Sequence, residues 1–153
     1  MHNRKYFKMC AHLLICTIIV MLIAVNQANA VMTMEQIGKA ALSVRNTCTS
    51  KSHADSGAVA AIQKGEFPDD NQPLKCYTLC IMKTMRTFKN GRIDEGMMIK
   101  QMDLMMPPDM AGPLKVSLIK CAAEQTPTGD DCETTYQFVK CSYQTDSDHF
   151  FFP

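Results

Sequence analysis

Leu74-Lys75-Cys76-Tyr77-Thr78-Leu79-Cys80-Ile81 sets two cysteines one helical turn apart within an apolar repeat, and the architecture of the chain follows from it. Leu74, Tyr77, Ile81, Met85 and Phe88 recur at steps of three and four residues, the apolar stripe of an amphipathic helix. Cys76 and Cys80 stand at i and i+4, so a helix puts both sulfurs on one face. A bond between them would close a tiny loop and gain little, so each is expected to reach a different element. Pro73 suits the first turn of this helix, and Lys89-Asn90-Gly91 is expected to end it.

Four further cysteines frame this pair. Cys48, Cys76, Cys80, Cys121, Cys132 and Cys141 read C-x27-C-x3-C-x40-C-x10-C-x8-C. An even set of cysteines in a short secreted chain points to a disulfide framework. Six cysteines allow fifteen pairings, and spacing alone does not choose among them. No C-x2-C or H-x3-H cluster suggests zinc, and no C-x-x-C suggests redox chemistry. The cysteines read as staples, and the sequence calls for no cofactor and no metal.

The remaining two cysteines, Cys10 and Cys16, fall in a segment that reads as a signal peptide, residues 1–30. Arg4, Lys5 and Lys8 form its positive start, and Leu13 to Val25 its apolar run. Ala28-Asn29-Ala30 fits a small-x-small cleavage site, leaving Val31 as the mature N-terminus. The apolar run is short for a transmembrane span of about 20 residues. A retained signal anchor is the alternative. The expected mature domain is residues 31–153. Without the three leader cations, 13 of the 16 basic residues face 15 acidic ones, a charge of about −2. That balance gives neither a nucleic-acid footprint nor a polybasic membrane patch.

Elsewhere the pattern is helical. Thr33-Met34-Glu35-Gln36 is a capping box, followed by Ile37, Ala40, Ala41 and Val44 at helical spacing. This helix should reach about Cys48. A short second helix runs from Asp55-Ser56 to Gly65, and Phe67-Pro68-Asp69-Asp70-Asn71 is a loop. Asp94 can cap a fourth helix bearing Met97, Met98 and Met102. A fifth follows Pro107-Pro108-Asp109, with Leu114, Leu118, Cys121 and Ala122 on one side. Gly112 and Pro113 predict a delayed start or a kink there. Asp130 or Asp131 caps a sixth helix through Cys132, Tyr136, Val139 and Tyr143. With no sustained period-two pattern, the expected class is all-α, about six helices.

Several motifs together resemble the insect odorant-binding proteins of the six-cysteine PBP/GOBP type. They are Met32-Thr33-Met34-Glu35-Gln36, Cys76-Tyr77-Thr78-Leu79-Cys80, Pro107-Pro108-Asp109-Met110, Cys132-Glu133-x-x-Tyr136-Gln137-x-x-Lys140-Cys141 and the ending Phe150-Phe151-Phe152-Pro153. Within the family they resemble the LUSH-type pattern. The match is poor from Arg45 to Asn71 outside Cys48. The resemblance implies helices around an apolar cavity, braced by three interlocked disulfides: Cys48–Cys80, Cys76–Cys132 and Cys121–Cys141. It also implies a carrier, not an enzyme, for a small hydrophobic volatile such as an alcohol, ester or aldehyde. The implied setting is extracellular sensillar lymph, without stable membrane insertion, and the implied partner is an olfactory receptor. A disulfide-stapled scaffold, or a hydrophobic-ligand carrier outside olfaction, is the alternative.

The ligand contacts expected from this resemblance are Thr78, Met82, Thr87, Ile93, Met105, Tyr136, Val139 and Phe152. Thr78 and Thr87 match threonines of the LUSH-type pattern, whereas Met82 replaces a serine, which favours a larger or more apolar ligand. A helix threonine more often bonds its own backbone. Met82, Met85, Met97, Met98, Met102, Met105, Met106 and Met110 crowd the middle of the chain. Each alone is ordinary core filling; the cluster suits an adaptable binding wall. The tail Phe150-Phe151-Phe152 is expected to fold over the pocket, since exposed apolar ends are unfavourable. A frayed end is the alternative. His149, beside Asp146 and Asp148, is either a pH-responsive group or a solvated surface histidine.

Overall fold

The computed structural model describes residues 31–153, together with His12, Ile15 and Thr17, which are helical. The signal-peptide reading of residues 1–30 otherwise lies outside the described residues. A reciprocal cap opens helix α1, Met34–Ser52: the Gln36 N–H donates to Thr33 Oγ1 at 3.3 Å, and the Thr33 N–H donates to Gln36 Oε1 at 2.8 Å. The helix runs past Cys48 and ends at His53, which adopts φ 57°. Asp55 caps α2, Ser56–Ala61, which tightens into a 3-10 turn over Ile62–Lys64. Gly65 closes that turn at φ 80°, and a Cβ there would collide with the Tyr143 ring, so only glycine fits.

Helix α3, Gln72–Thr84, starts on Asn71, whose Oδ1 accepts from the Leu74 N–H at 3.0 Å. It stops earlier than its stripe suggests. Arg86 turns left-handed at φ 58°, and Phe88–Lys89 (β1) pairs antiparallel with Arg92–Ile93 (β2). Asn90 and Gly91, at φ 53° and 74°, form the turn. Two successive positive φ values suit a tight hairpin, and Asn-Gly is a strong signal for one. Each strand has two residues, too few to show an alternating pattern, so the sequence read this hairpin as a helix end.

Asp94 caps α4, Glu95–Met105, and Asp130 caps α6, Asp131–Thr145. Between them α5 spans Pro108–Glu124, with no delayed start at Gly112-Pro113. Pro113 removes the N–H that would bond the Asp109 carbonyl, and Asp109 is exposed, so water can serve instead. Among the described residues of the unit Met32–Pro153 the class is therefore six α-helices with one two-residue hairpin.

Helix α3 packs most extensively on α6, then on α1, and α5 packs on both α4 and α6. The disulfides follow these interfaces: Cys48–Cys80 joins α1 to α3, Cys76–Cys132 joins α3 to α6, and Cys121–Cys141 joins α5 to α6. This is the interlocked pairing the resemblance implies. At the α3–α6 contact, Lys75 Nζ lies 2.6 Å from Glu133 Oε2, and Gln137 Nε2 donates to Glu133 Oε1 at 2.6 Å. These bonds from Lys75 and Gln137 hold the Glu133 carboxyl below its ordinary value, against the opposing pull of burial. Lys75 also sits 5.7 Å from the Tyr136 ring centre.

Two outcomes follow from this bracing. Cys76–Cys132 closes a separation of 56 residues and Cys121–Cys141 one of 20. Chain entropy predicts about 4 kcal/mol for the longer loop and about 3 kcal/mol for the shorter. In urea unfolding, Cys76→Ala with Cys132→Ala should therefore cost more than Cys121→Ala with Cys141→Ala. Glu133, depressed below 4.5, adds stability that is present above that pH and lost as pH falls. Glu133→Gln should leave the protein with a shallower acid-dependent loss of stability below pH 4.5, read by the same unfolding titration.

Candidate ligand-binding cavity

Helices α1, α4, α5 and α6, the end of α3 and the C-terminal segment line a cavity of about 330 Å³. From α1 come Ile37, Ala40, Ala41 and Val44, the whole stripe that the capping box sets in register. Met98, Gln101, Met102 and Met105 project from α4, one helical face at i, i+3, i+4 and i+7. Leu114 and Leu118 come from α5 and Phe138 from α6. Met32, Met82, Met85, Thr87, Met106, Phe151, Phe152 and Pro153 complete the wall. Seven of these residues are methionines, whose unbranched thioethers repack around different shapes.

Only Thr87 and Gln101 bring polar side chains to the wall among the described residues. Both are tied to the end of α3. Thr87 Oγ1 donates to the Met82 carbonyl at 3.2 Å, and Gln101 Nε2 donates to the Met85 carbonyl at 2.5 Å. The last carbonyls of a helix lack intrahelical donors; the Met82 carbonyl accepts from the Thr87 backbone N–H at 2.8 Å as well as from its hydroxyl, and the Gln101 amide serves the Met85 carbonyl just past the helix end.

Of the eight contacts expected from sequence, Met82, Thr87, Met105 and Phe152 line the cavity. Thr78, Ile93, Tyr136 and Val139 are not in the lining. Thr78 is fully buried, donates to the Lys75 carbonyl at 2.7 Å and meets Thr135 Oγ1 at 2.9 Å, so its hydroxyl joins α3 to α6. Tyr136 is also buried and donates to the Pro68 carbonyl at 2.9 Å, with its ring 5.6 Å from Phe67. Ile93 is spent in the hairpin opposite Phe88, and Val139 in the core behind the wall. Six of the eight crowded methionines reach the cavity; Met97 and Met110 do not.

Gln101 and Phe138 were absent from the expected set. The available signal was positional: Gln101 interrupts the stripe of Met98, Met102 and Met105, and a polar residue inside an apolar stripe marks a placed group.

The tail is packed, not frayed. Phe150 meets Tyr143 edge-on at 5.2 Å and Phe152 meets Tyr77 edge-on at 6.3 Å. Gln63 Nε2 donates to the Phe152 carbonyl, and the Tyr77 hydroxyl donates to the backbone oxygen of Pro153. Burial pushes the Tyr77 phenol up to about 12, with the Arg45 charge pulling the other way. Upstream, His149 Nδ1 lies 2.8 Å from Asp146 Oδ2. Desolvation raises the Asp146 carboxyl, but the bonds from the His149 ring and backbone outweigh it and hold it below its ordinary value.

The PBP/GOBP family model matches residues 30–145. The chain belongs to the PBP/GOBP family. General odorant-binding protein 72 of Anopheles gambiae is 28% identical over 121 residues, 79% of this chain and 98% of that relative. General odorant-binding protein 19a of Drosophila melanogaster is 27% identical over 133 residues, 85% of this chain and 90% of that one. Among solved structures, Apis mellifera odorant binding protein 5 superposes with a TM-score of 0.73 at 40% identity, covering 81% of this chain and all of its own. Odorant binding protein 4 of Chrysopa pallens follows with a TM-score of 0.72 at 32% identity, covering 80% of this chain and 99% of its own. The PBP/GOBP proteins are carriers of small hydrophobic ligands and not enzymes. The LUSH-type likeness is a resemblance of motifs alone. No described helix is long and apolar enough to cross a membrane.

Because Phe151, Phe152 and Pro153 are wall residues, deleting Phe150 to Pro153 should weaken apolar-probe binding roughly tenfold, with helical circular dichroism retained. Tyr77→Phe should weaken it less, through a loosened tail. Unchanged affinity in the folded deletion variant would show that the tail is not needed as a wall.

Proposed function

We propose that this family member is secreted after removal of residues 1–30 and carries small hydrophobic odorants or pheromones through aqueous sensillar lymph to olfactory receptors. The observation that carries this reading is the cavity of about 330 Å³, apolar but for Thr87 and Gln101. A ligand site of this kind combines an apolar wall with a few placed polar groups. Transfer of an apolar volatile from water into it is favourable by roughly 25 cal/mol for each Å² of apolar surface buried.

In this reading Met82, Thr87, Met105 and Phe152 contact the guest. Thr78, Ile93, Tyr136 and Val139 act behind the wall, holding the elements that shape it. The guest is an alcohol, ester, aldehyde or similar small volatile. The relatives from Anopheles gambiae, Drosophila melanogaster, Apis mellifera and Chrysopa pallens are all named odorant-binding proteins, which supports an odorant as the guest.

Titration of the oxidised protein with an apolar fluorescent naphthylamine should give saturable one-to-one binding, with a dissociation constant on the order of micromolar. Straight-chain alcohols, esters and aldehydes should displace the probe. Failure of the folded protein to bind the probe or any such volatile would reject the carrier reading in favour of a scaffold.

A further inference from the structure

The polar corner of the cavity is made by the C-terminal end of α3. Two carbonyls there, Met82 in the last turn and Met85 at the C-cap, take the hydroxyl hydrogen of Thr87 and one amide hydrogen of Gln101. Thr87 then has no hydrogen left to offer. The amide orientation of Gln101 is not ambiguous, because a carbonyl can only accept and the flipped amide would oppose oxygen to oxygen. What these two lining side chains retain is a surplus of lone pairs, on Thr87 Oγ1 and Gln101 Oε1, against a single amide N–H. A helix C-terminus also carries negative partial charge, which favours a hydrogen donor and disfavours another acceptor. Gln101 stands within the α4 face formed by Met98, Met102 and Met105. Thioethers pack well against aromatic rings.

We propose that Gln101 is the orienting and specificity-determining residue of this cavity, selecting aromatic ligands that carry an O–H or N–H donor, such as phenols and indoles, over acceptor-only ligands of the same shape. The inference rests on the carrier reading above and narrows its ligand class. The ligand's ring lies along the α4 methionines, and its donor points to Gln101 Oε1. An ether, ester or aldehyde in the same place brings a second acceptor to an acceptor-rich corner and loses the bond.

Calorimetric titration of the full, oxidised chain with naphthol and with its methyl ether tests this, since the pair differs only in the donor. Naphthol should bind the wild type roughly three- to tenfold more tightly, the size of one net hydrogen bond. Gln101→Met should bring the two affinities together, removing the advantage of naphthol over its ether. If that variant loses its helical circular dichroism, Gln101→Leu replaces it with the same expectation. Equal affinities in the wild type, or a naphthol preference that survives in a folded Gln101 variant, would overturn the assignment. The naphthylamine probe separates the two readings. Probe binding without discrimination overturns only the role of Gln101. A wild type that binds neither probe nor naphthol overturns the carrier reading and this one with it.

Discussion

Helix α3 is held from both sides by covalent bonds, and the hollow interior depends on that constraint. Cys80 ties it to α1 and Cys76 ties it to α6, so the two largest helix contacts are also cross-linked. An ordinary small domain is stabilised by a filled core. This one leaves about 330 Å³ open in its interior, and the side chains around that space lack packing partners on one side. Cross-links that restrict the unfolded chain offset the loss without filling the space.

The rest of the α3–α6 interface is chosen to be as definite as the bonds. Lys75, Glu133 and Gln137 satisfy one another, and Thr78 meets Thr135 in a fully buried contact. No buried side-chain nitrogen or oxygen among the described residues lacks a partner. Polar groups that are fully satisfied specify a geometry, while a half-satisfied set would destabilise it. The opposite side is built differently. Helix α4 carries no cysteine and is held by packing on α5, an Asp103–Lys115 ion pair, the Gln101 bond to Met85, and the Met32 N–H to the Met105 carbonyl at 3.1 Å. The methionine-rich wall is thus the one without a covalent brace, set against a braced frame of α1, α3, α5 and α6.

The tail couples these two regions. Its phenylalanines would be exposed apolar surface if the segment left the body. Instead Phe150 and Phe152 stack edge-on against Tyr143 and Tyr77, and Phe151 joins Phe152 in the wall. Tyr77 belongs to α3, so the helix that anchors the disulfides also anchors the end of the chain. The ionic part of the tail, Asp146 with His149, lies outside this apolar contact.

Much of this was legible from residues alone. The six helices, their caps at Thr33, Asp55, Asp94 and Asp130, and the α1 stripe follow from local periodicity and capping chemistry, which depend on neighbours within one or two turns. The hairpin at Asn90-Gly91 was misread because two-residue strands leave no periodic trace, although the Asn-Gly pair itself was visible. Gly112 and Pro113 do not delay the start of α5, because the carbonyl left without its N–H, that of Asp109, is open to water. Resemblance implied the cysteine pairing; spacing alone could not have chosen it. Which threonine faces the chamber was beyond the sequence. Nine residues separate Thr78 from Thr87, half a turn out of phase on a helical wheel, so periodicity sets them on opposite faces without saying which face is open; in the structure α3 ends at Thr84, Arg86 turns left-handed, Thr87 lines the cavity and Thr78 bonds Thr135 of α6. The sequence determined the elements and the apolar surplus, because those arise from local propensity and composition. Only the tertiary structure decided which apolar faces meet each other and which face the open space, because that depends on the angles at which cross-linked helices are held.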